Sequence, residues 1–223
     1  MTELAPSERL IVALDYNNAQ DALNLVDELE DVVSFYKVGL ELFVSEGWGV
    51  VKDLLKRKKR VFLDLKIDDI EETISRTVKQ VAHMGVDFLT IHGNHATARA
   101  AHAAKGSHLK ILQITLLTSV NEQDLRDLML VGDGKRFSSK DEYVLWRAEV
   151  SMNCGCDGVI ASGQDARMLR QKLGSEALLV CPGMVRKHFL SARGFARRAK
   201  GWRTTSGLQR LLPPSRTGRI TWW

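Results

Sequence analysis

The chain has 223 residues, 44% of them hydrophobic and 26% charged, values ordinary for a globular protein and unlike those of disordered or collagen-like chains. No apolar run approaches the roughly 20 residues of a membrane span, and Met1–Arg9 lacks the apolar core of a secretory leader, so a cytoplasmic protein without membrane association is expected. The formal charge of +5 suggests nucleic acid only until it is located: residues 187–223 hold nine Lys/Arg and no Asp or Glu, which leaves 23 basic against 27 acidic residues in 1–186, a net of −4.

Strand-like and helix-like segments alternate along 1–186. Arg9–Asp15 (RLIVALD) is a short apolar run ending in an acid. Ala22, Leu25, Val26 and Leu29 then recur at helical spacing, with Asn18 placed to cap the helix. Ser34–Leu40 reads as a second strand, and a helix follows through Val51, Leu54 and Leu55. Arg60–Lys66 (RVFLDLK) is the third strand; its helix puts Ile70, Ile74, Val78 and Val81 on one face and stops near Gly85, a C-cap residue. Four more strands are expected at Phe88–Gly93, Lys110–Ser119, Gly158–Gly163 and Ala177–Gly183, each after a helical stretch. Such runs, apolar on both faces, belong to parallel sheets. Seven βα-type strands in a chain of this length predict a (β/α)8 TIM-type barrel whose eighth strand is missing or replaced.

Other clusters have structural readings. Lys56–Arg60 (KRKKR) joins a helix end to a strand, where cations suit the helix dipole. Gly132–Asp141 is a polar loop with the composition of a flap. Cys154 and Cys156 have no second Cys/His pair at zinc spacing, so they and Cys181 read as small thiols of a reducing compartment. His92 and His95 read as polar packing residues rather than a metal pair.

The chemistry sits at the strand ends. Asp15 ends the first strand, Lys37 lies in the second, Asp64 and Lys66 end the third, His92 ends the fourth, and Thr118 and Ser119 end the fifth. Charges in apolar strands are costly unless paired, and the C-terminal rim is where parallel barrels keep their active sites. Positions i and i+2 of a strand share a face, which aims Asp64 and Lys66 together, and Asp69 follows in the next loop. Alternating carboxylates and ammoniums keep each other ionised, a suitable array for creating a carbanion and then protonating it.

Five blocks carry a more specific signal: ALD at 13–15, YKVGLELF at 36–43, DLKIDDIEET at 64–73, LLTS at 116–119 and VCPGMVR at 180–186. In their order and spacing they resemble the orotidine 5'-phosphate decarboxylase family of bacterial type. The D-x-K-x-x-D element alone is shared with 3-keto-gulonate-6-phosphate decarboxylases and hexulose-6-phosphate synthases; Ile70, Thr73, Thr118 and Ser119 tilt the resemblance toward the orotidylate enzymes. It implies a carboxy-lyase of pyrimidine biosynthesis acting on a nucleoside monophosphate. It further implies that Lys66 protonates C6 of the pyrimidine, Asp64 sits by the substrate carboxylate, and Lys37 and Asp15 contact the ribose. Thr118 and Ser119 would face the pyrimidine and Arg186 the phosphate. Asp69 and Thr73 would be donated across a homodimer interface, so that Lys66, Asp64, Asp69 and Lys37 form the catalytic set, with no metal and no cofactor. Two alternatives stay open: a magnesium-dependent sugar-phosphate decarboxylase or aldolase of the same suprafamily, and an inactive truncated remnant. One departure is visible: Glu71-Glu72 stand where the family usually has Pro-Asn. Acids suit a helix's first turn, but their charge opposes an anionic substrate.

After Arg186 the pattern stops. Residues 187–223 carry three of the five tryptophans and Pro213-Pro214, with no β-branched run long enough for a buried strand and no apolar strand leading to the Gly-Arg that the resemblance predicts as a phosphate grip. The expected division is a barrel domain at 1–186 and an atypical basic tail at 187–223, the tail being out of frame or otherwise aberrant, with a basic RNA-binding or membrane-surface tail as the alternative.

Overall fold

The computed structural model describes residues 10–29, 32–117, 119–127, 132, 134, 136–182 and 220–222. Its elements run in the order β1 (Leu10–Leu14), α1 (Ala19–Leu29), β2 (Phe35–Gly39), α2 (Leu40–Glu46), α3 (Trp48–Lys56), β3 (Arg60–Ile67), α4 (Glu71–His83), β4 (Phe88–Ile91), α5 (His95–Ala104), β5 (Lys110–Ile114), α6 (Glu122–Asp127), α7 (Lys140–Asn153), β6 (Gly158–Ile160), α8 (Ala166–Leu173), β7 (Leu178–Val180) and β8 (Ile220–Trp222). The first seven strands are parallel and alternate with helices, which is the TIM-type (β/α) fold expected from the apolar runs. The chain divides into two compact units, one of residues 1–65, 84–87 and 182–223 and the other of 66–83 and 88–181.

In the first unit the strand order is β8-β1-β2-β3. Ala13 lies opposite Lys37, and Gly39 opposite Asp64. Every residue of β1 is buried, as are Phe35, Tyr36, Val38 and Val61–Leu63. Helices α1 and α3 cover them with Ala22, Val26, Leu29, Val50, Val51 and Leu54. Asn18 caps α1 as expected, its Oδ1 accepting the Asp21 amide at 2.9 Å. The basic cluster is absorbed locally: Arg57 pairs with Asp27, Lys59 donates to the Val33 carbonyl at 3.1 Å, and Arg60 lies over the Phe35 ring while donating to Asp87 at 2.8 Å. Lys56, Arg57 and Lys58 stay exposed at this helix end.

Among the described residues no eighth parallel strand is present; Ile220–Trp222 runs antiparallel to β1, with Leu10 opposite Trp222 and Val12 opposite Ile220. No strand signal is legible here, because three residues are too few to show a period. The open N–H and C=O groups along β1 take any extended segment as partner, whatever its side chains.

In the second unit β4-β5-β6-β7 form the sheet. Val144, Ala148, Val159, Ala161, Leu169 and Leu179 make one core cluster. Phe137 is buried beside Tyr143 and Trp146, and Arg136 stacks on Phe137 and Trp146. The described part of the Gly132–Asp141 loop is thus anchored by aromatic packing. Two strand starts share one device. Asp87, after Gly85, accepts the Val61 amide at 3.0 Å in the first unit; Asp157, after Gly155, accepts the Ile111 amide at 2.8 Å and pairs with Lys105 in the second. In each, a glycine with positive φ ends a helix, and an acid then closes the orphan amide of the neighbouring strand.

Two expectations change. Ile70 is 70% exposed while Ile74, Val78 and Val81 are buried: α4 begins at Glu71, so Ile70 precedes the helix and its side chain does not follow the helical face. The fifth strand ends at Ile114 rather than Ser119, because the chain turns outward and Leu117 is already exposed.

The three cysteines are free and buried. Burial pushes the Cys156 thiol from its ordinary 9.0 up to about 12, and Cys154 and Asp157 reinforce the shift. A raised native value means that the buried neutral thiol contributes stability in full below pH 9, which is lost as pH climbs toward about 12, because the unfolded thiol ionises first. Iodoacetamide at pH 8 is therefore expected to leave Cys156 unmodified in the folded protein. Labelling at the rate of a free thiol would contradict its burial.

Candidate active site

Three charges meet in the first unit. The Lys37 ammonium lies 3.2 Å from Asp15 Oδ1 and 3.7 Å from Asp64 Oδ2, with the Lys37 and Asp64 side chains only 13% and 14% exposed. Asp15 follows the end of β1, Lys37 is the mid-point of β2, and Asp64 lies in the second half of β3. Parallel register brings these separate stretches level. Gly39 makes room: a Cβ there would sit 3.1 Å from Lys37 Nζ and 3.8 Å from Asp15 Oδ1. One ammonium between two carboxylates gives a local charge of −1, a strongly polar group at the ends of otherwise apolar strands. Lys37→Met is expected to destabilise the fold by about 1–3 kcal/mol, since two partly buried acceptors lose their shared cation. Urea melts of the variant and the parent would show it, and an unchanged midpoint would mean that the lysine does not hold these strands together.

Lys66, two residues beyond Asp64, belongs to the second unit. Its φ is +51°, inside a strand where extended backbone is the rule, at a cost of roughly 1–2 kcal/mol for a residue with a Cβ. The alternation argument that aimed Asp64 and Lys66 together assumes extended φ and does not hold through this position. The backbone at Lys66 is instead held by β4: its N–H donates to Thr90 Oγ1 at 2.9 Å, and the His92 N–H donates to the Ile67 carbonyl at 2.9 Å.

The segment after β4 is closely tied. Gly93 has φ +96°, and a Cβ there would lie 2.2 Å from Asp68 Oδ1 and 2.7 Å from Thr97 Oγ1, so only glycine fits. Its carbonyl accepts from Gln113 Nε2 at 3.0 Å and from the Arg147 guanidinium at 2.7 Å. Asn94 caps α5, its Oδ1 accepting the Ala96 and Thr97 amides at 2.7 and 3.2 Å. Asp68 lies 3.9 Å from His92 Nδ1, and Thr97 Oγ1 donates to it at 3.5 Å. His95 packs against the Trp146 ring.

The other expected site residues lie as follows. Asp69 is exposed, its Oδ1 accepting the Ile70 amide at 2.7 Å; Thr73 is half-buried in the first turn of α4. Ser119 is exposed in a turn beyond β5. Thr118 and Arg186 fall outside the described residues. Glu71 and Glu72 open α4, as acids suit, and Glu72 pairs with Arg76 at 3.2 Å. Sequence reading missed Thr90, Asp68, Gly93, Gln113 and Arg147. Thr90 and Gln113 carried a signal, each being a polar residue in a fully buried apolar strand. Among the described residues no group of three or more His, Cys, Asp or Glu is arranged to hold a metal ion.

Comparison with known proteins gives the family. The family model described as "Orotidine 5'-phosphate decarboxylase / HUMPS family" matches residues 8–196. The orotidine 5'-phosphate decarboxylase of Methylococcus capsulatus is 47% identical over 179 residues, covering 80% of this chain and 71% of the relative. That of Caulobacter sp. is 39% identical over 197 residues, covering 88% and 82%. The crystal structure of orotidine 5'-phosphate decarboxylase from Lactobacillus acidophilus superposes with a TM-score of 0.70 at 34% identity, over 79% of this chain and 80% of that one. An uncharacterized conserved protein from Geobacillus kaustophilus gives a TM-score of 0.68 at 28% identity, over 76% and 80%. The chain therefore belongs to the orotidine 5'-phosphate decarboxylase / HUMPS family.

Proposed function

We propose that this chain is a carboxy-lyase that converts orotidine 5'-monophosphate to uridine 5'-monophosphate in pyrimidine biosynthesis. The observation that carries the reading is the run of charges at the strand ends: Lys37 bridges Asp15 and Asp64, and Lys66 is two residues further along β3. Cleavage of the bond from C6 to the carboxylate leaves its electron pair on C6 and releases carbon dioxide. The Lys66 ammonium gives C6 a proton and regains one from solvent. Asp64 faces the departing carboxylate and holds the ammonium array in place, and Lys37 and Asp15 bind the ribose hydroxyls. Ser119 and Thr118 face the pyrimidine, and Arg186 the phosphate. Fixed charges stabilise the transition state without a cofactor. The names of the relatives, all orotidine 5'-phosphate decarboxylases, support this reading over a magnesium-dependent sugar-phosphate enzyme.

The active unit in this reading is a cytoplasmic homodimer in which Asp69 and Thr73 reach the neighbouring site. Exposed Ile70 between them supplies the apolar surface that a second copy would cover. The test follows the absorbance of orotidylate with purified protein, with and without a chelator. Turnover that survives chelation is expected. Turnover lost on chelation, or no binding of a nucleoside monophosphate, would sink the reading.

The segment from 187 onward is, on this reading, an out-of-frame replacement of the last βα unit. The family match ends at residue 196. The genetic code adds a constraint whatever the codons used. Read one base out of phase, the junctions from Arg219 to Trp223 encode Asp, Asn, His or Tyr, then Tyr, His or Asn, then Leu, Val or Met, and finally Val. In that phase the run ends in two apolar residues, as a restored apolar strand requires.

A further inference from the structure

We infer that Thr90 is a positioning residue for Lys66: by accepting the Lys66 backbone N–H, its hydroxyl holds that residue in the left-handed conformation that aims the ammonium at the reacting carbon. The inference rests on the reading of Lys66 as the proton donor and adds a residue to which that reading gives no role.

Only Lys58 and Lys66 among the described non-glycine residues have positive φ. Lys58 lies in the turn after α3, where this conformation is routine. Lys66 is inside β3, where it is not, so something must select it. A regular strand would offer the Lys66 amide a backbone carbonyl. Here the acceptor is a side chain, Thr90 Oγ1 at 2.9 Å, while the following contact between the strands returns to backbone, His92 N–H to Ile67 O at 2.9 Å. This side-chain acceptor falls at the residue whose side chain carries the chemistry.

Thr90 suits this task. It is fully buried within β4, between Leu89 and Ile91, and its branched Cβ stiffens the side chain, so the acceptor stays in place. The strand that presents it is fixed from the far side. The Gly93 carbonyl is held by Gln113 and by the buried Arg147, and Asn94 caps the helix that follows. Lys66 is thus referred to a rigid frame through one hydroxyl.

Valine keeps the shape of threonine and lacks the acceptor, whereas serine keeps the acceptor. In Thr90→Val the turnover number is expected to fall about 10- to 100-fold with KM little changed, the cost of a reacting group misplaced by about 1 Å. Thr90→Ser should restore most of the loss. Amide hydrogen exchange gives a readout independent of activity: exchange at Lys66 should accelerate in Thr90→Val, with Val61–Leu63 protected as in the parent. If the parent itself turns over no orotidylate, the functional reading fails, and the exchange experiment still decides what Thr90 holds. Unchanged kcat together with unchanged Lys66 exchange in Thr90→Val would overturn the inference. Equal loss in the Val and Ser variants, with protection lost across β3, would also overturn it, leaving Thr90 a packing residue. Should Thr90→Val fail to fold, Thr90→Ala serves as the acceptor-free variant, and failure of both would assign Thr90 to stability alone.

Discussion

Lys66→Ala is expected to lower orotidylate turnover by about 10²–10⁴-fold, the contribution of a positioned proton donor. The physical ground is the electron pair left on C6 when carbon dioxide departs. It forms beside whatever charges the protein has already fixed, and among these Lys66 is proposed as the cation that also carries a transferable proton. Lys66→Arg tests the two roles separately. It keeps the positive charge but holds its proton far more tightly, so substrate binding should survive better than turnover. The absorbance assay under saturating substrate measures both variants against the parent. An alanine variant that keeps turnover within about tenfold of the parent would remove Lys66 from the proton-transfer step.

Replacing residues 187–223 by the out-of-phase reading is expected to raise kcat/KM by about 10- to 100-fold for each charge-assisted phosphate contact regained, at about 1.5–3 kcal/mol each. Part of the gain should appear in kcat, because binding energy from the remote phosphate is used in the chemical step. Stability should rise as well. Among the described residues the β1 edge is paired over three register positions, by the antiparallel Ile220–Trp222, and a longer parallel strand would satisfy more of its amides and carbonyls. Sequencing the coding DNA comes first. A shift of one or two bases near the end of the VCPGMVR block must restore an apolar strand ending Gly-Arg. An uninterrupted frame, or a repaired protein no more active than the parent, would end the proposal.

The strands were legible because burial on both faces requires apolar residues nearly throughout, and the helices because Ala22, Val26, Ile74, Val78 and Val81 recur with the helical period. Boundaries were less so. The apolar run of β5 continues to Leu117, yet the strand ends at Ile114, since hydrophobicity marks a segment's preference for burial and not the point where a neighbour stops pairing. Ile70 fits the spacing of α4 and still lies exposed, because spacing alone does not separate a residue before a helix from one inside it.

The site divides along the same line. Asp15, Lys37 and Asp64 stand out in the chain because a charge in an apolar strand is unfavourable without a partner, and that rule alone implied that they meet. By itself the sequence determined the βα alternation, the charged strand ends and the family. These follow from residue type and order, which local physics reads directly. Only the tertiary structure decided that Lys66 leaves the extended conformation, that Thr90 accepts its amide across 24 residues of chain, that Asp68 contacts Thr97 and Gly93, and that β1 takes an antiparallel partner. Each of these depends on groups distant in sequence arriving within a few ångströms of one another, and hydrogen bonds at that range are set by where the packed core holds the backbone.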